Sequence, residues 1–443
     1  MPAKFFIQTM GCQMNRNDSE RIAGLLIERG MKPTDNPRQA DVLIINSCSV
    51  RQASEDKVVG TVKNWNDWKK SNPNMIIAVS GCMAGRDKDG KLRKKMSAVD
   101  IFFQIDDLPR LPAWLGELNP NIFTGKLNDD LLDDYLGIAP ERENSQRAFI
   151  TIQTGCNNYC TYCVVPFARG RERNRPVQEI LHEAREFAEN GLEITLLGQV
   201  VNHYIAPDPE NFSMNNPYKS HDHFAALLWE LNQIEKIERI HFTAPDPQYF
   251  NDAQISALNL PKQVNYLHLP AQSGDDEILR KMNRKCTREK YIELIKKIRS
   301  AKPDIAIGTD LIVGFCGETK EQFENTMDLY RECDFDIAYL AMYSERSGTA
   351  AAKAFKDDVP RAEKKRRWNA MQNLMEKTVL KKNQKYVGKI VEVIADKCAD
   401  GLCSGNSREM KFTQFIGTPD LVDKIVKVKI FEAKEWVLKG ELI

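Results

Sequence analysis

Three cysteines, Cys156, Cys160 and Cys163, fall within eight residues, and no other feature restricts the chain as strongly. They follow Ala148–Ile152, an apolar run that reads as a strand, so they sit on the loop leaving it. Thiolates at this spacing can bind three irons of a 4Fe–4S cluster and leave the fourth iron open for chemistry. The alternative is a structural zinc site, which wants a fourth Cys or His at short range. The nearest histidines, His182 and His203, do not stand at finger spacing.

The chain holds eleven cysteines. An odd count, in a chain whose start lacks the order of a signal peptide, argues against a disulfide framework. A cytosolic protein is expected, and in that reducing compartment grouped cysteines are metal ligands or catalytic groups. No apolar run approaches the roughly 18 residues of a membrane span, so no membrane contact is expected. The net charge is +1, so any nucleic-acid surface has to be local.

Cys12, Cys48 and Cys82 form a second, dispersed set. Each lies two or three residues past a strand-like run: Lys4–Thr9, Asp41–Asn46 and Met75–Val79. In an open parallel α/β sheet the crevice beyond the carboxyl ends of the strands is where ligands bind. Topology alone can therefore gather these three thiols, while Gly11 and Gly81 free the backbone beside two of them. The alternative is three separate, buried core residues. Cys286, Cys316 and Cys333 read as packing residues. Cys398 and Cys403 could hold metal but lack nearby partners.

Strands and helices alternate over the first ~118 residues, which predicts an open parallel sheet covered by helices. Within it, Asp18 is a candidate N-cap for a helix over Asp18–Arg29. An acidic stretch with Asp129, Asp130, Asp133 and Asp134 reads as a linker. From ~148 to ~355 the runs Ala148–Ile152, Glu193–Leu197, Arg239–Phe242, Tyr266–Leu269, Ile305–Leu311 and Ile337–Met342 predict six strand–helix units, a full or partial (β/α) barrel. A helix over Arg361–Lys385 carries nine Lys/Arg against two Glu. The last ~60 residues turn to β: Val426, Val428 and Ile430 alternate with Lys427 and Lys429, as in a small β-barrel. The arginines Arg169, Arg171, Arg173 and Arg175 are read either as contacts to a cofactor or RNA phosphate or as a solvated face. The basic helix and Lys427/Lys429 are candidate phosphate contacts, with plain solvated surface as the alternative.

The segments Thr9–Ser19, Asn46–Lys57, Gly81–Arg86, Thr151–Pro176, His268–Gly274 and Asp310–Glu318 resemble the methylthiotransferase branch of the radical S-adenosylmethionine (SAM) superfamily. The likeness covers nearly the whole chain. The runs Gln13-Met14-Asn15 and Ser49-Val50-Arg51 favour relatives acting on dimethylallyladenosine in tRNA. They are less like those acting on threonylcarbamoyl-adenosine or on a ribosomal-protein aspartate. A zinc-stabilised RNA-binding protein is the non-enzymatic alternative. Ser47, Val200 and Cys316 depart from the family pattern, at positions that touch no presumed ligand.

The resemblance implies four parts: an N-terminal methylthiotransferase domain (2–118), an acidic linker (119–141), a radical SAM core (142–372) and a TRAM-like RNA-binding β-barrel (375–443). It implies two 4Fe–4S clusters and S-adenosyl-L-methionine as cofactors. Cys156, Cys160 and Cys163 would hold the SAM-cleaving cluster, and Cys12, Cys48 and Cys82 an auxiliary cluster for sulfur insertion. The implied reaction is methylthiolation of C2 of the modified adenosine at position 37 of tRNA. The partners expected are the tRNA anticodon loop, a reducing electron-transfer protein and a sulfur donor, acting on a cytoplasmic monomer.

Overall fold

The computed structural model describes residues 2–49, 52–123 and 134–443. Asp129, Asp130 and Asp133 of the acidic stretch lie outside the described residues. The N-terminal sheet comprises β1 (Lys4–Thr9), β2 (Lys32–Pro33), β3 (Val42–Ser47), β4 (Ile76–Gly81) and β5 (Ile101–Phe102), in the order β2-β1-β3-β4-β5. Every pairing is parallel. Alternate residues of β3 explain its continuous apolar run. Val42 and Ile44 face a core with α1 (Gln13–Glu28), whereas Leu43 and Ile45 face a second core with α2 (Gln52–Ser71).

α1 begins directly after Cys12, five residues earlier than the Asp18 start expected from the sequence. Its first turns bury polar side chains, Asn15, Asn17, Asp18 and Ser19, so no apolar period marks them. Asp18 is not a cap; its carboxylate pairs with Arg169 in the interior.

Six parallel strands form the centre: β6 (Arg147–Thr151), β9 (Glu193–Leu197), β10 (Arg239–Phe242), β11 (Tyr266–His268), β12 (Ala306–Val313) and β13 (Ile337–Met342). A bridge from Ile240 to Gln263 joins its two halves into one open (β/α) barrel. The short pair β7 (Gln153–Thr154) and β8 (Arg173–Asn174) brackets the Cys156 loop. The helix Arg361–Gln384 packs against this barrel, and part of its positive charge is structural. Lys364 pairs with Asp357, Arg367 with Glu318 and Lys382 with Asp334.

The C-terminal strands β14 (Ile390–Ala399), β15 (Leu402–Ser407), β16 (Phe412–Ile416), β17 (Ile425–Ala433) and β18 (Leu438–Leu442) close a barrel. Val428 and Ile430 point into its core while Lys427 and Lys429 point out, as their alternation predicts. Cys398 and Cys403 are direct cross-strand partners and form a disulfide. To that extent the expectation against disulfides is corrected: antiparallel pairing places opposite residues close enough to bond, which spacing along the chain does not reveal. The barrel seats on the amino ends of the central strands. Arg239, 1% exposed, donates from its guanidinium to the carbonyls of Asn406 and Glu392 at 3.0 and 2.6 Å, and Arg147 pairs with Asp396 at 2.7 Å.

Buried charge fastens the N-terminal domain to the centre. Glu183 receives Arg21 from α1 at 3.2 Å, Arg142 at 2.6 Å and Arg175. Burial opposes its charge, but Arg21, Arg175 and Arg142 outweigh burial and hold the carboxyl at about 2, below its ordinary 4.5. A depressed carboxylate stabilises the fold fully above its unfolded value and loses that contribution as pH falls through the folded value. Glu183→Gln is therefore expected to cost about 3–5 kcal/mol near neutral pH. The difference from the parent should shrink progressively below pH 4.5. Denaturant midpoints of the two metal-free proteins across pH test this, and a pH-independent gap would contradict it.

Candidate functional site

The sheet order makes β1, β3 and β4 neighbours, and Cys12, Cys48 and Cys82 follow their carboxyl ends. Cys12 precedes α1, Cys48 lies one residue past β3, and Cys82 opens the short helix α3 (Cys82–Arg86). The loops touch. A Cβ added to Gly11, at φ +137°, would stand 2.9 Å from the Cβ of Cys48. One added to Gly81, at φ +90°, would strike the Ser47 backbone. Asn15 ties them further, donating to Asn46 Oδ1 at 3.0 Å and to the Ser47 carbonyl at 3.1 Å. Burial pushes the Cys82 thiol up to about 11 against the pull of Arg169, and Cys12 and Cys48 add to the rise. The structure thus gathers the dispersed triplet.

The compact triplet follows β7. Its loop is pinned from below: Thr161 N–H donates to the Met282 carbonyl at 3.0 Å, and Asn283 Nδ2 to the carbonyls of Asn158 and Tyr159. Each sulfur has a donor aimed at it. The Asn158 amide points at Cys156 and the Val165 amide at Cys163, both at 3.4 Å, and Arg284 reaches Cys160 at 3.8 Å. Such donors suit thiolates. Without a cation, burial, with neighbouring thiols adding to it, pushes Cys156 up to about 11 and Cys163 to about 12.

The two triplets lie on elements that pack against each other. The helix Val165–Arg169 lies so close to α3 that a Cβ on Gly85 would meet the Ala168 carbonyl oxygen at 2.0 Å. Cys82 is among the neighbours that raise Cys163. Among the described residues, no three Cys, His, Asp or Glu side chains converge as a single ion requires. A 4Fe–4S cluster takes one thiolate per iron, so its ligands need not meet at one point. The residues fit such a group on two counts: the donors aimed at the sulfurs, and a buried guanidinium nitrogen, Arg169 Nη1, that has no partner.

Two of the four alternating arginines are engaged inside the fold, and a third forms ion pairs at the surface. Arg169 pairs with Asp18, Arg175 with Glu183, and Arg173 with Asp106 and Asp134, while Arg171 stays exposed. The sequence did not mark Arg284, Asp246 or Asn158. Arg284 donates to Asp246 at 2.7 Å, and Asn158 Nδ2 to the same carboxylate at 3.0 Å, beside Cys160. Tyr249 donates to Asn158 Oδ1 at 2.8 Å and stacks on His203 at 4.0 Å. His203 meets Glu172 at 2.9 Å, and this hydrogen bond raises its imidazole pKa. On the concave side of the barrel, His268 meets Asp310 at 3.0 Å and Tyr339 is 55% exposed.

The fold and thiol arrangement define a radical SAM core carrying an additional thiol-bearing sheet domain and a β-barrel. Residues 150–330 match the model of the radical SAM superfamily, 4–104 that of uncharacterized protein family UPF0004, and 384–443 the TRAM domain. Two solved forms of the cobalamin-dependent S-adenosylmethionine radical enzyme OxsB share the fold at 11% identity over 85% of this chain. The form with aqua-cobalamin and S-adenosylmethionine bound gives a TM-score of 0.51, and the apo form 0.52. This chain spans only 56% and 61% of those longer chains. Proteins named tRNA-2-methylthio-N(6)-dimethylallyladenosine synthase are much closer in sequence. That of Thermoanaerobacter sp. (strain X514) is 42% identical over 99% of this chain and 92% of its own. That of Geobacillus kaustophilus (strain HTA426) is 40% identical over 99% of this chain and 82% of its own. The chain belongs to this tRNA-2-methylthio-N(6)-dimethylallyladenosine synthase family.

The thiol environments make a direct prediction. Raising a thiol from 9.0 to about 11 or 12 removes roughly two or three powers of ten of thiolate at a given pH. In the metal-free protein at pH 8, alkylation should reach exposed Cys12 first, with Cys82 and Cys163 lagging at least a hundredfold. Peptide mass mapping over time checks the order. Equal rates at all three would contradict the buried geometry.

Proposed function

We propose that this chain is a tRNA methylthiotransferase, placing a methylthio group on C2 of N6-dimethylallyladenosine at position 37, next to the anticodon. The observation that carries the reading is that the helix opened by Cys82 packs directly on the helix after Cys163, in a chain 42% identical to a synthase of that name. Cys156, Cys160 and Cys163 hold the SAM-cleaving cluster, and Cys12, Cys48 and Cys82 the auxiliary one. Together with SAM these groups supply one-electron cleavage of the sulfonium and the site of sulfur insertion.

The chain's own residues bind, orient and shield. The Asn158 and Val165 amides and Arg284 hold the three SAM-cluster thiolates. Asp246 fixes Arg284 from behind. Tyr339, with the His268–Asp310 pair, lines the open side of the barrel, where a loop base splayed out of its stack is received. The C-terminal barrel supplies phosphate contacts through Lys427 and Lys429. The functional division of the chain follows 2–118, 119–141, 142–372 and 375–443. A reducing electron-transfer protein and a sulfur donor complete the cycle of a cytoplasmic monomer. No described helix is long and apolar enough to cross a membrane.

Two outcomes test this. With Cys12, Cys48 and Cys82 all replaced by Ala, iron should fall from about eight to about four per chain. SAM cleavage should persist while the methylthio nucleoside disappears. Full iron or continued product in that variant would defeat the assignment. Separately, Lys427→Glu with Lys429→Glu should weaken tRNA binding and flatten its log–log salt dependence by about two. This double variant spares the Arg239 seat that deleting the barrel would expose. An unchanged salt slope would remove these lysines from the RNA surface.

A further inference from the structure

We propose that Arg169 is a positioning residue for the auxiliary cluster, raising its reduction potential through an N–H to sulfur contact and holding it in register with the SAM site. The proposal rests on the two-cluster reading above. Arg169 ends the helix that begins two residues after Cys163, yet its side chain crosses into the N-terminal domain. There its Nη2 donates to Asp18 at 2.5 Å, with both side chains 1% exposed. Asp18 stands on α1, six residues beyond Cys12. The same guanidinium adjoins Cys82. One side chain therefore connects the elements that carry Cys12, Cys82 and Cys163.

Arg169 Nη1 is buried without a hydrogen-bond partner. A guanidinium nitrogen left so in the interior is costly, because its hydration is lost and nothing replaces it. The acceptor chemistry at hand is sulfur: Cys82 as thiolate, or a sulfide bound beside it. A donor to cluster sulfur stabilises the reduced, more negative state, so it raises the potential. Asp18 holds the fork in place and offsets part of its charge, leaving the hydrogen bond as the controlling contact. The compact triplet repeats the arrangement, with Arg284 held by Asp246 and directed at Cys160. Two triplets with the same Arg–Asp device point to a function that a single domain latch would not require.

The test uses the reconstituted full chain, with Arg169→Met and Arg169→Lys. Iron per chain in the parent protein first decides the two-cluster reading on its own. Redox titration followed by electron paramagnetic resonance then decides the role of Arg169. Both variants are expected to shift the auxiliary signal to a more negative potential and leave the SAM-cluster signal in place. Product formed per SAM cleaved should fall about 10- to 100-fold, as for loss of other outer-shell partners. Should Arg169→Met fail to fold, Arg169→Lys decides alone, because it keeps a cation for Asp18 and lacks the planar fork. An unshifted auxiliary potential in a variant with full iron would overturn the proposal.

Discussion

The molecule depends on a seam of buried charge between two domains. Glu183 with its three arginines, and Asp18 with Arg169, lie where the N-terminal sheet meets the barrel. Apolar side chains could have filled this seam at equal or greater stability, since desolvating charge is expensive. What charge adds is geometry. A guanidinium fork meets a carboxylate in few orientations, whereas an apolar face tolerates sliding. Two thiol triplets borne by different domains must keep a fixed separation for either to be useful to the other. The close approach of Gly85 to Ala168 permits the contact, and the ion pairs set its register.

The opposite end of the barrel follows a different logic. The C-terminal barrel is fixed by Arg239 and Arg147 at the amino ends of the strands, while the thiols lie past the carboxyl ends. An RNA held there, as proposed above, would be held away from the cysteine triplets. On that reading, recognition of the polymer and chemistry on one nucleotide would be separated, so affinity from phosphate contacts would not intrude on the thiols.

The architecture was legible in the sequence where period and spacing carry the signal. Apolar runs marked the central strands, and the alternation around Val428 marked the last barrel. The proximity of Cys12, Cys48 and Cys82 was legible because parallel topology converts position after a strand into position in space. Asp18 was misplaced because an acidic residue before an apolar helical face looks the same whether it caps the helix or pairs within the interior. The arginines from Arg169 to Arg175 suffered the converse. Charged residues at alternate positions resemble a solvated edge, and only the location of Asp18 and Glu183, distant in sequence, turns Arg169 and Arg175 inward. Arg284 left no trace at all, since its partner Asp246 lies 38 residues away on another loop.

The thiols themselves explain why such scaffolding is needed. Cys82, Cys156 and Cys163 are pushed up to about 11, 11 and 12, because burial and neighbouring sulfurs both oppose negative charge. A chain without cofactor therefore keeps these groups protonated, and the iron proposed to bind here would have to displace their protons. The loops cannot relax to separate the sulfurs and lower that cost, since Gly11, Gly81 and Gly155 leave their backbones packed against neighbours. The fold thus holds these cysteines in an arrangement unfavourable for free thiolates, a cost that the proposed clusters would offset. Preorganisation of this kind would concentrate the gain of cluster binding at the thiols, where the amides of Asn158 and Val165 and the guanidinium of Arg284 already point at the sulfurs and a buried nitrogen of Arg169 lacks a partner.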